Sequence, residues 1–156
     1  MEKPLIVPYN PVYKLRYGMT SSPRLSVIIP VWNCWHLTAA CLRSLRETVP
    51  GDFLEVIVVD NGSTDTTASE LESLGAALFG THFVRIRNDK NEGFAIACNA
   101  GAAQASAPLL FFLNNDTLLR KGWLKPLMCA PLEDSRLGAW GPLLAYPALP
   151  GEPERV

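Results

Sequence analysis

Val56-Ile57-Val58-Val59, followed at once by Asp60-Asn61-Gly62-Ser63-Thr64-Asp65, carries the architecture of this chain in ten residues. Four consecutive β-branched residues without polar alternation read as a short strand buried on both faces, the signature of a parallel sheet. The polar cluster after it has turn chemistry in Asn61-Gly62 and helix-capping chemistry in Ser63, Thr64 and Asp65. The same grammar recurs at Leu109-Leu110-Phe111-Phe112-Leu113, which runs into Asn114-Asn115-Asp116-Thr117. A third apolar run, Leu25-Ser26-Val27-Ile28-Ile29, is stopped by Pro30, which has no donor for a ladder. In open α/β sheets ligands bind beyond the carboxyl ends of the strands. Two strands that each deliver an Asp to that edge, Asp60 and Asp116, point to a site for a nucleotide and a metal ion.

Between the strands the apolar spacing switches to three and four. Leu37, Ala40, Cys41, Leu42, Leu45 and Val49 predict a helix over Trp35 to Val49, ended by Pro50-Gly51. Thr66 to Leu74 reads as a helix stopped by Gly75, and Thr67 with Glu70 has capping-box spacing. Phe83 to Ile86 is a shorter strand. Phe94 to Ser106 is an alanine-rich helix suited to close packing on a sheet. Trp123 to Cys129 is a short helix with Pro126 tolerable only in its first turn. Leu137 to Leu144 reads as the start of one more strand, interrupted by Pro142. This alternation predicts an α/β three-layer sandwich with a mostly parallel central sheet. The domain spans 24–145, between an irregular Pro- and Tyr-rich arm at 1–23 and a Pro-rich tail at 146–156.

With 156 residues, 48% hydrophobic and 19% charged, the chain has material for one globular core and too little charge for disorder. A formal net charge of −1 gives no reason to expect nucleic acid as a partner. The longest apolar runs are strand-sized, so no transmembrane segment is predicted, and Met1-Glu2-Lys3-Pro4 does not open a signal peptide. The expected location is cytoplasmic, or peripheral at the inner face of the membrane. Cys34, Cys41, Cys98 and Cys129 lack Cys-x-x-Cys spacing and His36 and His82 have no partner set, so free, mostly buried thiols are expected rather than zinc.

Four clusters carry chemistry, and each has a bland reading beside the functional one. Pro30-Val31-Trp32-Asn33 is suited to laying an aromatic against a nucleobase, or is an ordinary strand-to-helix loop. Asp60 and Asn61 are suited to a base N3–H or a ribose hydroxyl, or to turn and cap. Asn91-Glu92-Gly93-Phe94, leading to Asn99-Ala100-Gly101, opens a helix N-terminus that favours a diphosphate, without a Walker motif. Asp116 is suited to Mg²⁺ or Mn²⁺, which prefer oxygen ligands, or to a local cap. Trp123 and Trp140 read more naturally as packing aromatics than as sugar platforms, and Arg85, Arg87, Lys90 and Arg120-Lys121 as surface charge.

Taken together, in this order and at these strand ends, Ser26-Val27-Ile28-Ile29-Pro30-Val31-Trp32-Asn33, Val58 to Asp65, Asn91 to Ala95 with Asn99-Ala100-Gly101, and Phe112 to Thr117 resemble the nucleotide-sugar half of family 2 glycosyltransferases, inverting enzymes with the GT-A (Rossmann-like) fold. The resemblance runs from Leu25 to about Leu144. It implies a nucleotide-diphosphate sugar donor bound by Pro30, Trp32, Asn33, Asp60, Asn61, Asn91, Gly93, Asn99, Asn114 and Asn115. It further implies Mn²⁺ or Mg²⁺ held by Asp116 and bridged to the diphosphate, and a glycan or lipid-linked acceptor.

Three departures from the family pattern stand out. The first Asp of the Asp-x-Asp metal motif is Asn114, which keeps a carbonyl oxygen but removes a negative charge. The acidic pair after the second strand is Asp60-Asn61, and this wording is most similar to a rhamnosyltransferase-like branch that uses deoxysugar nucleotides. The family's carboxylate base belongs to a following half, which this sequence does not extend into. Glu133 and Asp134 are the nearby carboxylates and read as solvated. The expectation is therefore a chain truncated before its base, complete in donor site and inclined to self-associate through uncovered apolar surface. The alternative is a non-catalytic nucleotide-sugar-binding module acting with a partner.

Overall fold

The computed structural model describes residues 23–49 and 53–133, together with 138–139, 141–142 and 145. Its framework is β1 (Leu25–Val31), α1 (Trp35–Thr48), β2 (Leu54–Asp60), α2 (Thr67–Phe79), β3 (Phe83–Arg87), α3 (Phe94–Gln104), β4 (Leu109–Phe112) and α4 (Leu124–Glu133). The four strands form one sheet in the order β3-β2-β1-β4, parallel throughout. The central pair is buried as its mostly apolar sequence requires: all seven side chains of β1, Ser26 included, and all but Glu55 of β2 are buried.

Alternation along the strands sorts these side chains onto two faces. Val27, Ile29 and Val31 of β1 and Val56 and Val58 of β2 pack with Leu42 and Leu45 of α1, Leu71 of α2 and Met128 of α4. Ile28, Ile57 and Val59 face the other way and meet Ala97 of α3. The alanine-rich sequence of α3 has the expected purpose. A Cβ at Gly101 would lie 2.5 Å from Ile28 Cγ2, so the helix axis sits closer to the sheet than any larger residue would permit. The three-layer α/β/α arrangement expected from the sequence is the one observed.

Several boundaries differ from the sequence reading. Pro30 does not stop β1, which continues to Val31. The Ile28 carbonyl accepts from Leu113 N–H on the β4 side, whereas the Val31 carbonyl accepts from Asn61 N–H on the β2 side. Pro30 shares the orientation of Ile28, and β4 pairing ends at Phe112 opposite Ile28, so no ladder bond is lost by its missing N–H. Gly75 does not end α2, which runs on to Phe79. A Cβ at Gly75 would lie 2.1 Å from the Phe83 ring, so this glycine makes room for β3. The true stop is Gly80 at φ 58°, whose N–H caps the Ala76 carbonyl. The helix expected over Trp123 to Cys129 is Leu124–Glu133, with Pro126 in its first turn. Of the strand expected from Leu137 to Leu144, residues 138–139 and 141–142 carry no strand and the others lie outside the described residues, as do the arm at 1–22 and nearly all of the tail.

The amino edge of the sheet is fastened by a polar knot. Glu55 Oε2 accepts from Ser26 Oγ at 2.6 Å and from Ser106 N–H at 2.8 Å, and Ser106 Oγ donates to Oε1 at 2.9 Å. Partial burial pushes the Glu55 carboxyl up, but hydrogen bonds from Ser106 and Ser26 and the nearby His82 outweigh it and hold it below its ordinary value. A depressed folded-state pKa means that Glu55 stabilises the fold above its unfolded pKa of about 4.3 and that this is lost as pH falls through the folded value. Glu55→Gln should lower stability at pH 7 by about 1–2 kcal/mol and flatten the acid limb of the stability curve, as read by urea melts between pH 3 and 7. An unchanged acid limb would count against this knot.

Candidate active site

β1, β2 and β4 all end at one edge of the sheet, and the loops that follow them are tied to one another. After β1, Asn33 and Cys34 both lie in the left-handed region at φ 58°. The Asn33 N–H donates to Ser63 Oγ at 2.8 Å, and Asn33 Oδ1 accepts from the N–H groups of Thr64 at 2.8 Å and Asp65 at 3.3 Å. Asp65 then serves two helices. Its Oδ2 accepts from Trp35 N–H at 3.1 Å at the start of α1, and its Oδ1 from Thr67 N–H at 3.0 Å at the start of α2. Of the three candidate caps in Ser63-Thr64-Asp65, Asp65 therefore caps α2. Partial burial raises its carboxyl, but hydrogen bonds from Thr67 and the Trp35 amide prevail and keep it below its ordinary value.

Asp60 points inward. Its carboxylate is fully buried, with Oδ1 accepting from Ser63 N–H at 2.9 Å and Oδ2 gripped by Arg85 at 2.8 Å and by Arg87. Burial raises this carboxyl, and the hydrogen bonds from Ser63 with the two arginines overcome that and hold it low. The guanidinium groups are engaged further, Arg85 to the Ala68 carbonyl at 3.0 Å and Arg87 to the Ser63 carbonyl at 3.0 Å. The mostly buried Arg85 and the half-exposed Arg87 thus clamp the Asp60 carboxylate, so that only Arg87 keeps the surface position read from the sequence. The signal available in the sequence is their separation of two along a strand, which places both on one face.

Asn61 is buried and bonded on both ends of its amide. Its Nδ2 donates to Asn91 Oδ1 at 2.8 Å and to the Gly93 carbonyl at 3.3 Å, while its Oδ1 accepts from Asn88 Nδ2 at 2.9 Å and from Glu92 N–H at 3.0 Å. It therefore staples the loop after β3. Gly62 lets that loop come close: at φ 78°, a Cβ there would lie 2.6 Å from Lys90 Cα. Beyond β4, Asn115 Nδ2 donates to Thr38 Oγ1 at 3.0 Å, and the Cys41 thiol is 3.7 Å from the Asn114 carbonyl. Burial first, and the negative charge of Asp116 second, push the Cys41 thiol up to about 12, so it is an inert neutral donor and no nucleophile. Trp123 stacks on Phe111 with centroids 5.0 Å apart and donates to Thr48 Oγ1, which makes it a packing aromatic as expected.

The loops enclose a cleft of about 390 Å³. Of the residues singled out in the sequence, Pro30, Trp32, Asn61, Asn91, Asn114, Asn115 and Asp116 line it, and Val31 and Phe94 join them. Trp32 is 56% and Phe94 61% exposed, so both rings are free to stack on a ligand. In the sequence Phe94 marks only a helix start; its apolar face beside a polar loop is the signal for more. Asn33 and Asp60 stand behind the wall and position it. Gly93 N-caps α3 with its carbonyl on Asn61, and Asn99 is exposed on α3, neither of them lining the cleft.

Among the described residues no group of three or more His, Cys, Asp or Glu side chains is placed to hold a metal ion. What the cleft offers is one exposed carboxylate, Asp116, with the side chains of Asn114 and Asn115 beside it. This all-oxygen set fits a hard divalent cation that takes most of its ligands from a bound diphosphate and water, and it does not fit a protein-only cage.

A parallel sheet of this order, with a polar cleft at its carboxyl edge and aromatic walls, defines an open α/β domain of the kind that takes its ligand at that edge. The chain belongs to glycosyl transferase family 2, whose family model matches residues 26–153. It is 37% identical over 131 residues to validoxylamine A glucosyltransferase of Streptomyces hygroscopicus subsp. limoneus, covering 82% of this chain and 28% of that protein. It is 36% identical over 109 residues to glycosyltransferase AglE of Haloferax volcanii, covering 69% and 35%. Among solved structures, S. aureus TarS 1-349 in complex with UDP superposes with a TM-score of 0.62 at 27% identity, over 72% of this chain and 33% of that one. The mannosyltransferase PcManGT of Pyrobaculum calidifontis, in complex with GDP-Man and Mn2+, superposes at 0.57 with 30% identity, over 62% and 28%. The fold is thus the GT-A fold that the motifs implied, and the chain spans about a third of the length of these curated relatives. No described helix is long and apolar enough to cross a membrane.

Proposed function

We propose that this chain binds a nucleotide-diphosphate sugar in the cleft and serves sugar transfer, with inversion, to an acceptor hydroxyl on a glycan or lipid-linked molecule. The observation that carries the reading is the convergence of Trp32, Asn91, Asn114, Asn115 and Asp116 on one cleft from the loops that follow β1, β3 and β4. Pro30, Trp32 and Phe94 form the apolar wall for a nucleobase. The buried Asn61 fixes Asn91 beside it. Asp116 and Asn114 would hold Mn²⁺ or Mg²⁺, which would supply neutralisation of the charge on the departing diphosphate. In the reaction, the acceptor oxygen bonds to the anomeric carbon on the face opposite the diphosphate. The bond from that carbon to the diphosphate oxygen breaks with its electron pair, and the hydroxyl proton passes to a base. Asp116 is the sole carboxylate of the described cleft lining and is assigned to the cation, so the base is assigned to no described residue.

UDP-GlcNAc and GDP-Man in the neighbouring structures support a sugar nucleotide as the ligand class. Because they differ in base, the test is calorimetric titration of UDP-, GDP- and dTDP-linked sugars with and without Mn²⁺. The dTDP deoxysugars probe the rhamnosyltransferase-like branch. One nucleotide class should bind in a metal-dependent way, and Asp116→Ala should weaken that binding by about tenfold or more. Metal-independent binding unaffected by Asp116→Ala would remove Asp116 from the cation site, and no binding at all would leave the fold without the function.

A further inference from the structure

The turn between β1 and α1 holds its conformation against local preference. A left-handed asparagine is common enough, but a second, consecutive left-handed residue with a full side chain is not. Cys34, at φ 58° and ψ 47°, is that residue. It is an exposed cysteine with no side-chain bond that would explain its conformation among the described contacts. The restraint comes from across the loop. Ser63 Oγ takes the Asn33 amide at 2.8 Å, and Asp65 Oδ2 takes the Trp35 amide at 3.1 Å, so the left-handed pair is pinned on both sides. Ser63 is in turn fixed by the buried Asp60, through a 2.9 Å bond from its N–H. Trp32, which lines the cleft, is the residue immediately before the pinned pair.

We infer that Asp65 is a positioning residue for the donor site: it latches the left-handed pair Asn33-Cys34 and thereby sets Trp32 at the edge of the cleft. This rests on the function proposed above, since it makes nucleotide affinity depend on a carboxylate that does not line the cleft. Asp65 therefore acts through Trp32 and not by touching the ligand. The latch also joins the starts of α1 and α2, because the other oxygen of the same carboxylate caps Thr67.

The test uses the full chain with UDP, GDP and dTDP as separate probes in the presence of Mn²⁺. Asp65→Ala should weaken the nucleotide that the wild type binds by about tenfold. That substitution also removes the α2 cap, so the diagnostic variant adds Cys34→Gly. Glycine adopts positive φ without steric cost, which lets the turn regain its shape while α2 stays uncapped. The double variant should bind within about threefold of wild type while its thermal midpoint remains lowered. A merely structural role would move affinity and midpoint together. Asp65→Ser covers a failure of Asp65→Ala to fold, because serine keeps a capping oxygen for Thr67 but is too short for the Trp35 amide. It should show the same loss of affinity.

Binding by Asp65→Ala or Asp65→Ser within about twofold of wild type would overturn the inference. So would a double variant that regains its midpoint and not its affinity. If wild type binds none of the three nucleotides, the proposed function fails and the latch is read from the Trp32 indole resonance in a nitrogen-15 spectrum. That resonance should shift or broaden in Asp65→Ala and return in the double variant. An indole resonance unmoved by Asp65→Ala would sink the latch by itself.

Discussion

Asp60→Ala should lower the stability of this domain by about 3 kcal/mol or more, because it strips a buried carboxylate from two arginines. The asymmetry of buried pairs sets the size. Making such a pair gains little over apolar packing, but removing one member strands the other in a desolvated place. Arg85 is the costly partner, with a side chain only 16% exposed, whereas Arg87 at 44% can recover hydration and contributes less. Ser63 N–H loses its acceptor as well, and with it the anchor of the turn that carries Trp32. Urea unfolding at pH 7 reads the loss. Acid should reproduce part of it in the wild type. The folded-state pKa of Asp60 is depressed, so its stabilisation is present above the unfolded value of about 3.9 and disappears as pH falls through the folded one. A variant within about 0.5 kcal/mol of wild type would show that the arginines find other partners.

Gly62→Ala should cost about 2–4 kcal/mol, from an L side chain at φ 78° together with overpacking against backbone. The added Cβ would sit 2.6 Å from Lys90 Cα and 2.7 Å from its carbonyl carbon, and main chain cannot swing aside as a side-chain tip can. The loop from Asn88 to Gly93 must retreat, which breaks the bonds from Asn61 to Asn91 and Gly93 and opens the cleft. Thermal unfolding should show a midpoint lowered by about 10 °C, accompanied by weakened nucleotide binding. Gly93→Ala is the control. It also has positive φ, 94°, but nothing lies within 4 Å of its Cβ position, so only the backbone penalty applies. Equal effects from the two substitutions would mean that the approach of the Lys90 backbone is not the reason for Gly62.

The parts of the site legible in the sequence are those written locally. Val56 to Val59 announces a buried parallel strand by composition, and Leu109 to Phe112 announces a parallel strand but not its burial: β4 lies at the sheet edge, where Leu110 and Phe112 stay about half exposed, and the polar residues after both strands emerge at one edge of the sheet. Asn114, Asn115 and Asp116 therefore fall in the cleft, as does Trp32 after β1. The residues that mislead are those whose purpose depends on something distant. Gly75 resembles a helix stop until Phe83 occupies the space above it, and Pro30 resembles a strand stop until β4 proves to have ended beside it. In both cases the local rule is sound and a neighbour from another element overrides it.

Hydrophobic period and turn chemistry act within a few residues, so the alternation of strands and helices is already written in the chain, and with it the GT-A fold and the edge at which ligands bind. The direction in which each polar side chain of that edge points is not written there and is settled by packing. Asp60 and Asp65 are both acids of one turn, yet Asp60 is drawn inward by Arg85 and Arg87 from β3, and Asp65 is spent on the amides of Trp35 and Thr67. Asp116, with no cation from a neighbouring element paired to it in the described salt bridges, stays in the cleft. A carboxylate goes where its hydrogen bonds and counter-charges are: the amides of Ser63 and Thr67 are local, but Arg85 and Arg87 for Asp60 and the Trp35 amide for Asp65 lie about 25 to 30 positions away in the chain, beyond the reach of any local pattern.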